Sequence, residues 1–255
     1  MDSELRQALA LKLLAMADDE LVLGHRNSEW TGHGPILEED IAFTNIALDE
    51  LGHAGLWYGL HAELIGEDRE TYPDRLIYFR PPEEFHNAPL VERSRGDWAF
   101  SMLRQYLFDA AESIHLAALR ASAYQPLADA AAKAQREELY HLRHTFAWVR
   151  RLGLGAEESH RRMQAALDAL WPLVPGYFDP LPDEARLADA AISPDPNRLR
   201  EQWEAQVRAV LKESGLSVPI FPAGHTFSRF KHTSDLTALL ADLQQVARMY
   251  PDARW

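Results

Sequence analysis

Two stretches of this 255-residue chain set a carboxylate and an imidazole three residues apart, Glu50-Leu51-Gly52-His53 and Glu138-Leu139-Tyr140-His141. On a helix that spacing puts both side chains on one face, one turn apart, so a pair can bind a single cation. Each pair follows a segment with a lone glutamate on its apolar stripe: Glu20 lies 30 residues before Glu50, and Glu112 lies 26 before Glu138. Glu20, Glu50, His53, Glu112, Glu138 and His141 together make four carboxylates and two imidazoles, the ligand set of a two-metal carboxylate centre. Asp49 and Glu137 each precede a pair's glutamate. Such residues accept a hydrogen bond from the non-ligating nitrogen of a metal-bound histidine, and we expect Asp49 to orient His141 and Glu137 to orient His53.

A single Glu-x-x-His occurs often by chance on solvated helices, whereas two in this order and spacing are far more specific. Four carboxylates gathered in an apolar interior are desolvated and repel one another unless cations neutralise them. The alternative is an empty or partly filled site held by protonated glutamates. The chain has no cysteine, which excludes disulfides, thiolate-bound zinc, iron–sulfur clusters and thiol nucleophiles. Oxygen and imidazole ligands suit two Fe ions and also admit Mn.

The elements that carry these residues are legible as apolar stripes stepping by three and four. One runs Leu9, Leu13, Met16, Glu20, Leu23; a second runs Phe43, Ile46, Glu50, His53, Trp57, Leu60, Leu64. A third, weaker, has Phe108, Glu112, Leu116 and Leu119, and a fourth runs Leu127, Ala131, Ala134, Glu138, His141, Thr145, Trp148, Leu152. Trp30-Thr31-Gly32-His33-Gly34-Pro35 marks a tight reversal between the first two, and Tyr124-Gln125-Pro126 turns the third into the fourth. Glu112 lies 12 residues before Tyr124 and Glu138 lies 12 after Pro126, about 18 Å each way at 1.5 Å per residue, so the two sit at matching depth. Residues 66–96, with Pro73, Pro81, Pro82 and Pro89, read as the long crossover between hairpins. The expected fold is all-α: a ferritin-like four-helix bundle over residues 1–155, with a C-terminal helical extension over 156–255 packed on the same domain. Shorter helices are expected there at about 156–171, 198–213 and 233–248, without obvious chemistry.

The formal charge of −13, from 26 basic and 39 acidic residues, repels phosphate backbones and anionic membrane surfaces, so no nucleic-acid partner is expected. Met1-Asp2-Ser3-Glu4 is acidic where a signal peptide is basic, and no run approaches the ~18 apolar residues of a membrane span. A cytoplasmic protein with no membrane association is expected. Asp109 and His115 flank Glu112 by one turn and read as packed or solvated residues, or else as a layer around the metal ligands. Tyr140 reads as packing, and Trp57 and Trp148 as core. His25, His33, His61, His86, His144, His160, His225 and His232 lack a partner pattern and read as surface or loop residues; Arg143, Arg150 and Arg151 read as a solvated helix end.

Several strings carry a family likeness: Glu29-Trp30-Thr31-Gly32-His33-Gly34-Pro35, Ile41-Ala42, Asn45-Ile46-Ala47-Leu48-Asp49, Arg104-Gln105-Tyr106 with Asp109, Tyr140-His141-Leu142-Arg143 and the closing Trp255. Across essentially its whole length the chain resembles the C subunits of phenylacetyl-coenzyme A 1,2-epoxidase. The resemblance implies a ferritin-like subunit pairing with a catalytic A subunit of the same fold, which holds a di-iron centre and oxygenates the aromatic ring of phenylacetyl-CoA with electrons from a reductase subunit. It also implies a structural role, since the familiar C subunits lack ligands matching Glu20, Glu50, His53 and Glu112, all present here. Three readings follow: an oxygenase-complex subunit with a metal site of its own, an independently active di-iron or di-manganese oxidase or oxygenase, and a non-catalytic iron-binding ferritin-like protein. A hetero-oligomer or homodimer is expected.

Overall fold

The computed structural model describes residues 1–222, 224 and 226–253; His225 and Trp255 lie outside them. Four long helices, α1 (Ser3–Ser28), α2 (Leu37–Ile65), α5 (Trp98–Leu119) and α6 (Gln125–Gly153), form the bundle. Shorter helices are α3 (Tyr72–Phe79), α4 (Pro89–Glu92), α7 (Glu157–Leu170), α8 (Glu184–Asp189), α9 (Pro196–Glu213) and α10 (Ser234–Met249). No strand occurs among the described residues, and no helix among them is long and apolar enough to cross a membrane. This is the all-α, ferritin-like architecture expected of the stripes.

Local chemistry sets the ends of the long helices. The Asp2 carboxylate accepts from Leu5 N at 2.7 Å to start α1, and Asp97 accepts from Phe100 N at 2.9 Å to start α5. Pro126 sits in the first turn of α6, where no intrahelical bond needs its missing N–H. Gly66 closes α2 at φ 83°, a left-handed cap that suits glycine.

Side-chain contacts show both hairpins to be antiparallel. His61 Nδ1 meets Ala10 O at 2.9 Å and Tyr58 donates to Asp18 at 2.5 Å, while Gly24 faces Ala47, Glu50 and Leu51 at the other end. A Cβ on Gly24 would stand 3.1 Å from Glu50 Cβ, so the absent side chain lets α1 lie close against α2 beside the glutamate. In the second hairpin Thr145 donates to Asp109 at 2.7 Å and Arg120 to Gln135 at 2.9 Å.

Two buried acids of α1 tie down the crossover. Asp18 pairs with Arg80 at 2.5 Å and accepts from His86 N at 2.8 Å, and Asp19 accepts from Ala88 N at 2.6 Å. Asp19 also pairs with Arg229 at 2.9 Å, and Arg229 donates to the carbonyl oxygens of His86 (2.9 Å) and Tyr177 (3.1 Å). The C-terminal third therefore reaches the bundle through specific polar contacts as well as apolar packing. Helices α7, α9 and α10 match the expected short helices, whereas α8, only six residues long, was not expected.

The structure corrects the reading of several histidines as surface residues. His61 is buried and stacks on Tyr72 with ring centroids 6.5 Å apart; His144 meets Glu39 at 3.0 Å. His232 faces the buried Glu92 through Nδ1 and the Phe85 carbonyl oxygen through Nε2 at 2.7 Å. With an acceptor at each nitrogen, the imidazolium is the form that satisfies both. Burial opposes that charge, but Glu92, the Phe85 carbonyl and more distant Asp18 outweigh it and raise the His232 pKa. A raised folded-state value stabilises the fold fully below the unfolded pKa of about 6.5, and the contribution disappears as pH rises through the folded value. The His232→Gln variant should therefore lose most stability below about pH 6.5, with the deficit in Tm shrinking as pH rises through the raised folded value. A deficit constant across that range, measured by thermal denaturation at each pH, would remove the imidazolium from this contact.

Candidate metal centre

Each of the four long helices delivers acid to the middle of the bundle, where solvent is excluded. Glu20 on α1, Glu50 and His53 on α2, Glu112 on α5, and Glu138 and His141 on α6 are all buried, none more than 3% exposed. Donor atoms gather in two groups: Glu20, Glu50 and His53 form one, and Glu50, Asp109, Glu138 and His141 form the other, with ligand atoms of each group within 4.8 Å of one another. Glu50 belongs to both. Such an arrangement offers two adjacent cation positions with one shared carboxylate.

The two histidines are held alike. His53 Nε2 donates to Glu137 Oε2 at 2.9 Å and His141 Nε2 donates to Asp49 Oδ2 at 3.1 Å, each across the α2–α6 contact. The other nitrogen of each ring points inward, with His53 Nδ1 3.7 Å from Glu20 Oε1, and His141 Nδ1 3.2 Å from Glu138 Oε2 and 3.6 Å from Glu50 Oε1. A carboxylate on the outer nitrogen fixes the tautomer that leaves the inner lone pair for a cation.

The unsatisfied atoms give a direct test of whether metal fits. With every carboxylate ionised, buried side-chain atoms without a hydrogen-bond partner include both oxygens of Glu20, Glu50 Oε2, His53 Nδ1, Glu112 Oε1 and Glu138 Oε1. Leaving one buried polar atom unmade costs about 1–3 kcal/mol, more for a charged group, so several converging on one region point to a missing electrophilic partner. The four glutamates with neutral histidines carry a formal −4, which two divalent cations cancel, while burial and the neighbouring Glu138 hold the fifth acid, Asp109, well above the usual carboxylate range. The donor set fits two such ions.

Asp109 and Glu112 divide the contribution of α5 in an unexpected way. Asp109 stands within the second group, but both its oxygens already accept hydrogen bonds, from Gln105 Nε2 at 2.6 Å and Thr145 Oγ1 at 2.7 Å. Glu112 stands outside both tight groups, with Oε2 accepting from the Tyr177 hydroxyl at 2.9 Å and Oε1 unpartnered. Glu112 thus keeps one oxygen free of hydrogen bonds, while Asp109, with one bond on each oxygen, stands closer to the other donors. His115, packed 3.7 Å from Glu112, is buried and lines a cavity of about 20 Å³ with Asp19, Tyr177 and Arg229, room for a single water.

Protonation in the metal-free centre follows burial. Burial, with the neighbouring Glu50, Glu112 and Glu138, holds Glu20 well above the usual carboxylate range, and burial with adjacent acids pushes Glu138 up to about 7. Burial would raise Glu50 too, but its contacts with Glu20, His141 and His53 reverse the sign and bring it to about 2. His141 is raised despite burial, because Asp49, Glu138 and Glu50 surround it.

Tyr140, half exposed, stacks on His144 with centroids 6.1 Å apart, and Trp148 donates to Glu39 at 2.7 Å. Tyr140 also packs edge-on against His141 with centroids 6.3 Å apart, whereas Trp148 stays away from the centre. Three residues beside the ligands are not marked by the ligand pattern in the sequence: Asn27, which donates to Gln105, Gln105, which donates to Glu50, and Tyr177, which donates to Glu112. The first two carried a readable signal, since Asn27 lies seven residues after Glu20 and Gln105 seven before Glu112, two turns along the same face. Tyr177 lies in a short 3-10 helix, Trp171–Tyr177, and had no such signal.

The whole chain, residues 1–255, matches the model of the phenylacetic acid catabolic protein family. It is 39% identical over 243 residues to the C subunit of 1,2-phenylacetyl-CoA epoxidase from Escherichia coli (strain K12), covering 95% of this chain and 97% of that one. It is also 26% identical over 225 residues to the A subunit of the same enzyme from the same organism, covering 86% of this chain and 71% of that one. The chain belongs to the phenylacetic acid catabolic protein family.

The Tyr177 hydroxyl is the hydrogen-bond donor to Glu112 Oε2. Removing it in Tyr177→Phe leaves a buried carboxylate oxygen without a partner, so metal-free protein should lose about 1–3 kcal/mol of stability. Urea denaturation of the metal-free variant measures this, and an unchanged midpoint would show that the contact contributes nothing.

Proposed function

We propose that this chain is a C-type subunit of an oxygenase that epoxidises the aromatic ring of phenylacetyl-CoA, and that it carries a two-metal site of its own. The observation that carries the second half is the convergence of unpartnered buried atoms from Glu20, Glu50, His53, Glu112 and Glu138. The likeness to the epoxidase's C subunit over nearly the full length of both chains supports the first half. The weaker likeness to its A subunit supports a partner of the same fold, because one epoxidase then contains two chains related to this one.

In this reading Glu20, Glu50, His53, Glu112, Glu138 and His141 are the ligands, and Asp49 and Glu137 hold the outer nitrogens of His141 and His53. Oxygen and imidazole donors suit iron, with manganese as the competing ion. Bound iron in such a centre supplies the activation of dioxygen. The protein's own contribution is orientation and exclusion of water: Glu50 is shared between the two groups, the histidines are locked in one tautomer, and the six side chains lie within a solvent-free layer. Partners in this reading are a reductase and the catalytic A-type chain, in the cytoplasm, with phenylacetyl-CoA as substrate of the assembly. The complete ligand set favours a second reading, an oxidase or oxygenase active without an A-type partner.

Elemental analysis of protein produced with both iron and manganese available tests the site. Two ions per chain are expected, lost in the Glu50→Ala, His53→Ala double variant, and chelation of the wild type should lower its Tm. Wild-type protein purified without metal under those conditions sinks the proposal of a metal site. Co-purification with an A-type partner supports the complex; oxygen consumption by the isolated metal-loaded chain, with no binding to that partner, would replace it with the second reading.

A further inference from the structure

Arg104 is wholly buried, and among the described residues it has no ion-pair partner. Its guanidinium donates instead to the Arg93 carbonyl oxygen at 2.5 Å and to Asn27 Oδ1 at 3.2 Å. Burial, with Arg26 nearby, lowers its pKa to about 9, which leaves it charged at neutral pH. From Asn27 the contacts continue inward: Asn27 Nδ2 donates to Gln105 Oε1 at 2.6 Å, and Gln105 Nε2 donates to Glu50 Oε1 at 2.5 Å and Asp109 Oδ1 at 2.6 Å. Asn27, Arg104 and Gln105 are all fully buried.

The direction of every bond in this series follows from its outer end. A guanidinium has five N–H donors and no acceptor, so only the oxygen of Asn27 can face it. The Asn27 amide nitrogen then faces Gln105, whose oxygen must receive it, and the Gln105 nitrogen is left to face the acids. Were Gln105 reversed, its carbonyl would meet Glu50 Oε1 and demand a proton there, and a protonated carboxylate is a poor cation ligand. With the order as found, Glu50 Oε1 is an acceptor already in use while Oε2 remains unpartnered.

We infer that Arg104, Asn27 and Gln105 form a directional hydrogen-bond chain that positions Glu50, engaging one oxygen and presenting the other to the two-metal centre. The inference rests on the metal reading proposed above and adds three positioning residues to it. The same amide engages Asp109, whose second oxygen is taken by Thr145, so the chain also keeps Asp109 occupied as a hydrogen-bond acceptor beside the shared glutamate.

Two variants interrupt the chain at different points. In Asn27→Asp the new carboxylate still accepts from Arg104 but has no donor for Gln105, so the Gln105 amide turns toward it and its carbonyl turns toward Glu50. In Gln105→Met the volume is nearly kept and the donor is lost. Titration with Mn(II) of the metal-free full-length protein, and the rise in Tm that Mn(II) produces, are the readouts. Both variants should bind Mn(II) about 10- to 100-fold more weakly than wild type, the usual effect of removing a partner of a ligand, with a smaller metal-induced rise in Tm. A role in packing alone would lower Tm equally with and without Mn(II), and unchanged affinity in both variants would overturn the inference. Should Gln105→Met not fold, Asn27→Asp decides the matter, because it retains the acceptor for Arg104; failure of both to fold would assign the chain to holding the bundle together and also overturn it. Wild-type protein that takes up no Mn(II) or iron would instead remove the metal reading itself.

Discussion

Burial of negative charge in the middle of the bundle is the constraint on which the rest of the structure depends. Glu20, Glu50, Glu112 and Glu138 come from four different helices into a layer without solvent. Ionised carboxylates there lose their hydration and repel one another, so each must be protonated, hydrogen-bonded or matched by a cation. The first two answers operate in the metal-free form. Glu20 and Glu138 are driven toward protonation, Glu50 accepts from Gln105, and Glu112 accepts from Tyr177. What is left over is the row of unpartnered atoms that faces the centre.

Three consecutive acids on α1 show how structural and ligating roles separate. Asp18 is matched by Arg80 and a backbone amide, and Asp19 by Arg229 and another amide. Glu20, the next residue, is equally buried and has neither an arginine nor a backbone amide on its oxygens, only the neighbouring Glu50 and, at 3.7 Å, His53 Nδ1. Burial and acidity are common to the three, and the presence or absence of a built-in positive partner divides them. The aspartates clamp the crossover and the C-terminal region onto the bundle, which in turn brings Tyr177 beside Glu112. A charge that closes the fold and a charge left for a cation are thus adjacent in sequence and opposite in surroundings.

Much of this centre is legible in the sequence, because helical periodicity is local and the spacing of Glu50 from His53, or Glu138 from His141, is a property of one helix. The four stripes predicted the bundle, the crossover and the short later helices for the same reason. Contacts made between distant segments were not legible in that way. Arg229 reaches Asp19 across most of the chain, and Tyr177 reaches Glu112 from a 3-10 helix without apolar periodicity. His232 and His61 looked like isolated histidines because their partners, Glu92 and the Ala10 carbonyl, belong to other elements. Asn27 and Gln105 are intermediate: each lies on a readable face at a two-turn step from a glutamate, but polar amides do not declare what they will bond.

A chain kept only as a scaffold has no physical reason to retain this layer. Replacing a buried ionic cluster by apolar residues of similar volume is often neutral or stabilising by about 1–4 kcal/mol, since desolvation is avoided and packing is gained. Removing single members is costly, because the remainder are left unmatched, so partial loss is penalised while complete loss is favourable. This chain stands at the complete end: six candidate ligands, two carboxylates on the outer histidine nitrogens, and a buried arginine linked through two amides to the shared glutamate. The outer groups are the most telling. Asp49 and Glu137 do not fill the core, and their contacts with the far side of each imidazole aim the inner nitrogens at the acids. Protonation and hydrogen bonds hold such a cluster together without metal, and two cations between the carboxylates would replace those protons, which favours a bound metal pair.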